Sequence, residues 1–282
     1  MDLRQLTQSF DTAVDDGLIW LQDNATGLFD GLRAVLDGVY ESVEWCLAAL
    51  PFWAVAALVG LVGWRTVGTR FGAAAAIGLV VCAVMGLWPE TMATLALVLS
   101  ASLLALAIAI PAGILAGYNP RLNDALTPVL DMIQTLPPYI YLLPAIALLG
   151  FGPATALAAT VIVAVPPALR LTALGIRQTP LNFLELGRAS GTTSFDLFAK
   201  IRLPFAMPSI MAGVNQCLMM AFGMVVIAGI VGSGGLGATI YDAVRTLDIG
   251  KSIDGGIAIV ILTMVLDRIT EGAVRKQKEA VA

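Results

Sequence analysis

The chain has 282 residues, 58% of them hydrophobic and 13% charged, with a mean hydropathy of +0.87. Soluble domains carry about 25% charged residues, so this composition cannot cover a water-facing surface and excludes an ordinary soluble enzyme. The net charge of −4 argues against a nucleic-acid partner, and the absence of histidine removes the commonest general base and metal ligand.

Residues 1–45 hold nine acids and two arginines, a net −7. Leu28, Leu32, Val35, Leu36, Val39 and Val43 recur at helical spacing and predict an amphipathic helix on the outer face of a membrane. Helices that sense anionic lipid carry a basic polar face; this one is acidic, so a packing role is expected. No basic region followed by a short apolar core and cleavage site opens the chain, so no removable signal peptide is expected.

A bilayer core about 30 Å thick needs about 20 apolar residues of helix. Runs at 46–64, 71–88, 91–118, 129–151, 153–169, 206–231 and 255–266 predict seven spans. The fourth carries Asp131, Gln134 and Pro137-Pro138, and the last is short and ends on Asp267-Arg268. Pro51, Pro111, Pro137, Pro138, Pro144, Pro166 and Pro167 fall within or beside spans. They mark either broken helices of a transport pathway or the general frequency of proline in membrane helices. Cys46, Cys82 and Cys217 lie far apart in apolar runs and read as buried small hydrophobes.

With the C-terminus in the cytoplasm, twelve of the sixteen basic residues fall inside and four (Arg4, Arg33, Arg245 and Lys251) outside. Seven spans with the N-terminus outside satisfy that asymmetry.

The longest inside segment, between Leu169 and Ala206, is itself helical. Thr179-Pro180 predicts a helix start, Glu185 and Arg188 lie one turn apart, and Gly191 fits a C-terminal cap. A second helix starts near Thr193-Ser194, has Asp196 in its first turn and Lys200 and Arg202 in its last, and is expected to stop at Pro204. Leu181, Phe183, Leu184, Leu186, Phe195, Leu197, Phe198 and Ile201 exceed what a short hairpin can bury by itself. They pack either on the protein's own spans or on a partner.

Further along, Gly232-Ser-Gly-Gly-Leu-Gly237 satisfies G-x-G-x-x-G, but it follows a lipid span rather than a strand. A glycine turn leading into a short outer helix, about 236–247, is expected instead of a nucleotide site. No G-x-x-x-x-G-K-[ST] occurs, so ATP chemistry would need another chain.

Glu185, Gly191, Ile201, Leu203 and Pro204 match in spacing the E-A-A, glycine and I-x-L-P signature of permease subunits of bacterial ABC importers. The triplet here reads Glu185-Leu186-Gly187, where that family has small residues after the glutamate. Met132-Ile-Gln-Thr-Leu-Pro-Pro, Pro166-Pro167-Ala-Leu-Arg170, Leu203-Pro-Phe-Ala-Met-Pro-Ser through Gln216, and Gly232 through Asp248 extend the likeness over about residues 45–270. The chain resembles the glycine betaine/proline betaine/choline subfamily of these permeases.

The resemblance implies an all-α membrane protein with about seven transmembrane helices, in the type I importer (MetI-like) fold. It implies an extracytoplasmic N-terminal segment at 1–45 and a permease domain at 46–270 with coupling helices at about 179–204. A cytoplasmic tail follows at 271–282. Two copies would form the pathway in the inner membrane, two ATP-binding subunits would dock on the hairpin, and an extracytoplasmic binding protein would deliver substrate. This chain would be non-catalytic and hold no cofactor or metal, ATP and Mg being bound by the ATPase. Glu185, Gly191, Ile201, Leu203 and Pro204 would carry ATPase coupling, Glu185 as an anchor to that subunit or as a partner of Arg188.

Quaternary ammonium ions bind aromatic faces, so Tyr139 and Tyr141 are candidates for pathway contacts or for interfacial anchors. Gln134, Asn215 and Gln216 are polar residues within spans, suited to the pathway or, for Asn215 and Gln216, to helix–helix hydrogen bonds. An ion-coupled secondary transporter is the competing class, but Asp131 and Asp267 lie near cytoplasmic ends and no inverted repeat is evident.

Overall fold

The computed structural model describes residues 3–281, with side chains placed for 12, 13 and 15–273. The basic side chains of Arg4, Arg275, Lys276 and Lys278, part of the charge asymmetry, lie outside those described. Among the described residues all regular structure is helical: α1 (Leu3–Ala48), α2 (Phe52–Thr66), α3 (Thr69–Val84), α4 (Trp88–Tyr118), α5 (Pro120–Thr135), α6 (Leu142–Leu149), α7 (Pro153–Arg177), α8 (Leu181–Ala189), α9 (Ser194–Leu197), α10 (Leu203–Ala228), α11 (Gly235–Thr246) and α12 (Ile249–Val281).

Four helices are individually long and apolar enough to cross a bilayer: Trp88–Tyr118, Pro153–Arg177, a continuous stretch from Ser194 to Val231, and Ile249–Ala273. Two bent pairs raise the number to six if each counts as one span, and Thr69–Val84 is a shorter apolar helix covering most of the expected second run. The first expected run is not one helix, because α1 and α2 meet at 98°. The fourth is broken likewise, with α5 and the Pro138–Leu149 segment meeting at 105°. Both breaks fall at prolines, Pro51 and Pro137-Pro138. Pro111, Pro166 and Pro167 instead sit inside unbroken α4 and α7.

The centre of the fold is α7 between α4 and α10. Hydrophobic burial cannot drive helices together in lipid, so close approach of backbones must do so. Ala105, Ala109, Gly113 and Gly117 recur every four residues on α4, and all are buried. A Cβ on Gly113 would stand 2.7 Å from Leu169 O, and one on Gly117 2.7 Å from Ile176 Cβ. On the other side of α7, a Cβ on Gly213 of α10 would stand 3.2 Å from Ala168 Cα. These small residues fix the spacing of the three central helices.

α1 packs on α4, α6 and α7. Leu36 and Tyr40 are buried in the same core as Met92, Val98, Leu157 and Phe222. Helix α1 packs through only part of the predicted stripe: Leu36 is buried and Val39 and Val43 are half-buried, but Leu28, Leu32 and Val35 are exposed, and Tyr40, outside the stripe, is buried instead; the helix kinks at Ala25. Of the cysteines expected to be buried, Cys82 and Cys217 are, but Cys46 is exposed on α1.

Candidate functional site

The hairpin at 178–202 is built as two capped helices. α8 closes through Gly191, whose φ of +71° is open to glycine but strained for a side chain, with Gly191 N donating to Arg188 O and Thr192 N to Gly187 O. Thr193 caps α9, its hydroxyl oxygen accepting from Asp196 N at 3.2 Å. The Asp196 carboxylate accepts from Thr193 Oγ1 at 2.8 Å and pairs with Lys200 Nζ at 2.7 Å.

Two local expectations are corrected. Thr179 does not cap α8; Pro180 holds that position without a side-chain bond, and Thr179 Oγ1 donates back to Ile176 O at 3.1 Å. The hydroxyl of Thr179 closes the end of α7, whose last carbonyls need donors. Pro204 does not end the second helix either. Residues 198–202 form a π turn that runs straight into α10, where Pro204 occupies the first turn. A π turn widens the backbone ahead of the proline, where an α turn would bring ring and carbonyl into conflict.

The hairpin divides its apolar residues between two faces. Leu184 and Gly187 are buried, and Leu197, Phe198 and Ile201 are half-buried. Phe183 stacks on Phe205 at 4.9 Å, and Arg202 lies 4.4 Å over the ring of Tyr118, fastening the hairpin to the ends of α10 and α4. A Cβ on Gly187 would meet the movable tips of Leu197 and Ile201, their Cδ1 atoms at 2.6 and 2.9 Å, so a small side chain there requires those two to shift. Leu186 points outward at 63% exposure, so a bulky residue fits there. Leu181 and Phe195 are more exposed still, at 74% and 75%. Among the described residues Glu185 is exposed and makes no ion pair with Arg188. Leu203 is half-buried and Pro204 exposed.

The five polar residues of the spans fall into two groups. Tyr141 donates its hydroxyl to Ile133 O at 2.9 Å, tying the two sides of the α5–α6 break together, while Gln134 and Tyr139 beside it are exposed. On α10, Asn215 bonds across to α12, donating to Asp267 Oδ1 at 3.1 Å and accepting from Thr270 Oγ1 at 2.8 Å. Gln216 is exposed on the next face. Arg170 pairs with Asp131 at 2.6 Å and joins α7 to α5. The glycine-rich segment is the expected turn: Gly232, Gly234 and Gly235 have positive φ, and α11 starts at Gly235. Leu236 N donates to Thr94 Oγ1 at 2.8 Å, which anchors that turn to α4.

This helical scaffold and its hairpin match a family described as binding-protein-dependent transport system inner membrane component, over residues 109–278. The chain belongs to that family. The permease is 37% identical over 268 residues to the glycine betaine/proline betaine transport system permease protein ProW of Escherichia coli, covering 95% of this chain and 76% of that protein. It is 36% identical over 265 residues to the glycine betaine transport system permease protein OpuAB of Bacillus subtilis, covering 94% of each. The glycine betaine/carnitine transport permease protein GbuB of Listeria monocytogenes is 36% identical over 256 residues, with 89% of this chain and 91% of that one covered. An inward-facing MetNI methionine ABC transporter structure shares the fold, with a TM-score of 0.60 over 66% of this chain and 93% of that one, at 22% identity. The permease therefore has the type I importer fold and is a membrane transport subunit.

Two features of the permease were not legible in its motifs. The Tyr118–Arg202 contact joins residues 84 positions apart, and only the basic residue at the end of the second hairpin helix hinted at a partner. The second feature is the set of contacts from α1 to the α6–α7 turn, which no spacing in the sequence announces.

Proposed function

We propose that the permease imports glycine betaine, proline betaine or a related quaternary ammonium compound such as choline or carnitine, driven by ATP hydrolysed on a separate chain. The substrate class rests on the names of the relatives, which align with nearly the whole chain. Two copies would line the pathway, and an extracytoplasmic binding protein would load it. The N-terminus would lie outside and the C-terminus in the cytoplasm, as the basic residues favour. ATP and Mg would be held by the ATPase subunits.

The observation that carries energy coupling is the exposure of three apolar residues on the hairpin, Leu181, Leu186 and Phe195, together with the exposed carboxylate of Glu185. Such exposed residues, on a rigid capped pair of helices, suit a cleft in a soluble subunit. Gly191, Ile201, Leu203 and Pro204 shape the turn and its run into α10. Polar side chains exposed on membrane helices need a water-filled path or a second copy beside them. Gln134, Tyr139 and Gln216 meet that description, whereas Asn215 and Tyr141 already have partners within the chain.

Reconstituted with its ATPase and binding protein, the complex is expected to take up labelled glycine betaine only with ATP. Competition by unlabelled choline, carnitine and proline betaine ranks the cargo; ATP-dependent uptake that none of these compounds inhibits would overturn the substrate class. Glu185→Lys and Gly191→Val are expected to lower uptake at least about tenfold, through reversed charge at the docking face and a strained turn respectively, with insertion unchanged. Full uptake in both variants would refute the hairpin's role.

A further inference from the structure

The turn from α6 to α7, residues 150–154, is held from two sides. On one side Gly152 N donates to Val231 O at 3.0 Å, at the end of the helix that begins in the hairpin. On the other side stands α1. Asp37 Oδ1 accepts from Ala154 N at 2.9 Å, satisfying one of the amides that α7 leaves open at its first turn. The cap position of α7 is Gly152, which has no side chain to do this. One turn back on α1, Arg33 pairs with Asp37 at 3.5 Å and donates to Phe151 O at 3.4 Å. Gly150, whose φ of +75° favours glycine, lies against the guanidinium, with an added Cβ 2.9 Å from Arg33 Nη1. Further up, Gln22 Nε2 donates to Ala147 O of α6. Buried Leu36 and Tyr40 press α1 against the same elements.

The charge arrangement agrees with the geometry. A carboxylate placed at a helix N-terminus is favoured by the helix dipole, and the arginine beside it occupies carbonyls that the turn leaves free. Because the partners are 117 and 118 residues away in sequence, these contacts join α1 to the outer ends of the transport helices. The turn also ends the broken α5–α6 pair, so whatever fixes it fixes where α6 meets α7.

We propose that Arg33 and Asp37 are positioning residues for transport: they hold the α6–α7 turn in place so that movement of the hairpin helix at Val231 alters the outer end of the pathway. Without them the turn yields, and ATP is spent with less cargo moved. This inference rests on the importer reading above.

The test uses the reconstituted complex with ATPase and binding protein, measuring labelled glycine betaine taken up per ATP hydrolysed at equal membrane abundance. Asp37→Ala is expected to lower that ratio about fivefold, the scale of a lost N-terminal cap, while ATP hydrolysis persists. Asp37→Asn keeps an acceptor for Ala154 N and is expected to restore most of the ratio. An unchanged ratio in Asp37→Ala would overturn the proposal, as would a fall in uptake and hydrolysis together. Should Asp37→Ala fail to assemble, Arg33→Met decides, since it leaves the Asp37 carboxylate in place to cap α7 while removing the Phe151 contact and the ion pair to Asp37; an unchanged ratio there would equally overturn it. Absence of ATP-driven uptake by the unaltered complex would instead refute the importer reading, independently of either residue.

Discussion

Replacing Gly237 with valine is expected to deplete the permease from the membrane. A Cβ at this position would stand 2.1 Å from Val225 O and 2.9 Å from Val225 C, and one at facing Gly229 would stand 2.3 Å from Gly237 C. These obstacles are backbone atoms, which cannot swing aside as a side chain can, so α11 must leave its seat on α10. Overpacking of a tight core costs about 1–3 kcal/mol and sometimes more. Against a total stability of about 5–15 kcal/mol, such a loss at a helix crossing is enough to expose the variant to quality control. Abundance in the membrane fraction and the melting temperature of purified protein would measure it. Gly223→Ala is the control, because nothing lies within 4 Å of its added Cβ. It is expected to be neutral or slightly stabilising, as alanine favours helix; equal abundance of Gly237→Val and Gly223→Ala would contradict the packing argument.

Leu186→Glu is expected to do the reverse, leaving the permease folded but idle. Leu186 is 63% exposed, and substitutions on open surface change stability by about 0.5 kcal/mol or less. If the face formed with Leu181 and Phe195 seats the ATPase, a buried carboxylate there would cost 2 kcal/mol or more of binding, roughly thirtyfold in affinity. Co-purification of the ATPase subunit and uptake should fall together while membrane abundance holds. Leu184→Ala should show the opposite pattern, since Leu184 is buried and its truncation weakens the hairpin by about 2–5 kcal/mol. Normal ATPase retention by Leu186→Glu would separate the exposed face from docking.

The apolar runs and the placement of the few charges made the helical membrane class legible, and the hairpin's spacing made its two helices and turn legible. Proline positions did not reveal which spans break. Pro51 and Pro137-Pro138 lie at bends, whereas Pro166 and Pro167 are buried inside the single unbroken helix α7. The difference depends on whether neighbouring helices accommodate the freed carbonyls, which a linear pattern does not contain. Thr179 shows the same limit on a smaller scale: a hydroxyl between two helices suits the start of one or the end of the other, and here the end of α7 takes it. Leu186 and Gly187 depart from the family triplet in different ways. Gly187 faces Leu197 and Ile201 and Leu186 faces outward, so steric demand falls on only one of the two positions.

The uninterrupted helix from Ser194 to Val231 has a mechanical consequence. Its 38 residues, at about 1.5 Å each, make a stiff member roughly 57 Å long. A tilt of about 5° at its hairpin end would sweep the far end through roughly 5 Å, if the member behaves as a rigid rod of that length. That far end is where Val231 O meets Gly152 N. A small rotation imposed at the hairpin would therefore arrive at the opposite end as a displacement of several ångströms, less whatever bend the π turn at 198–202 and Pro208 take up along the way.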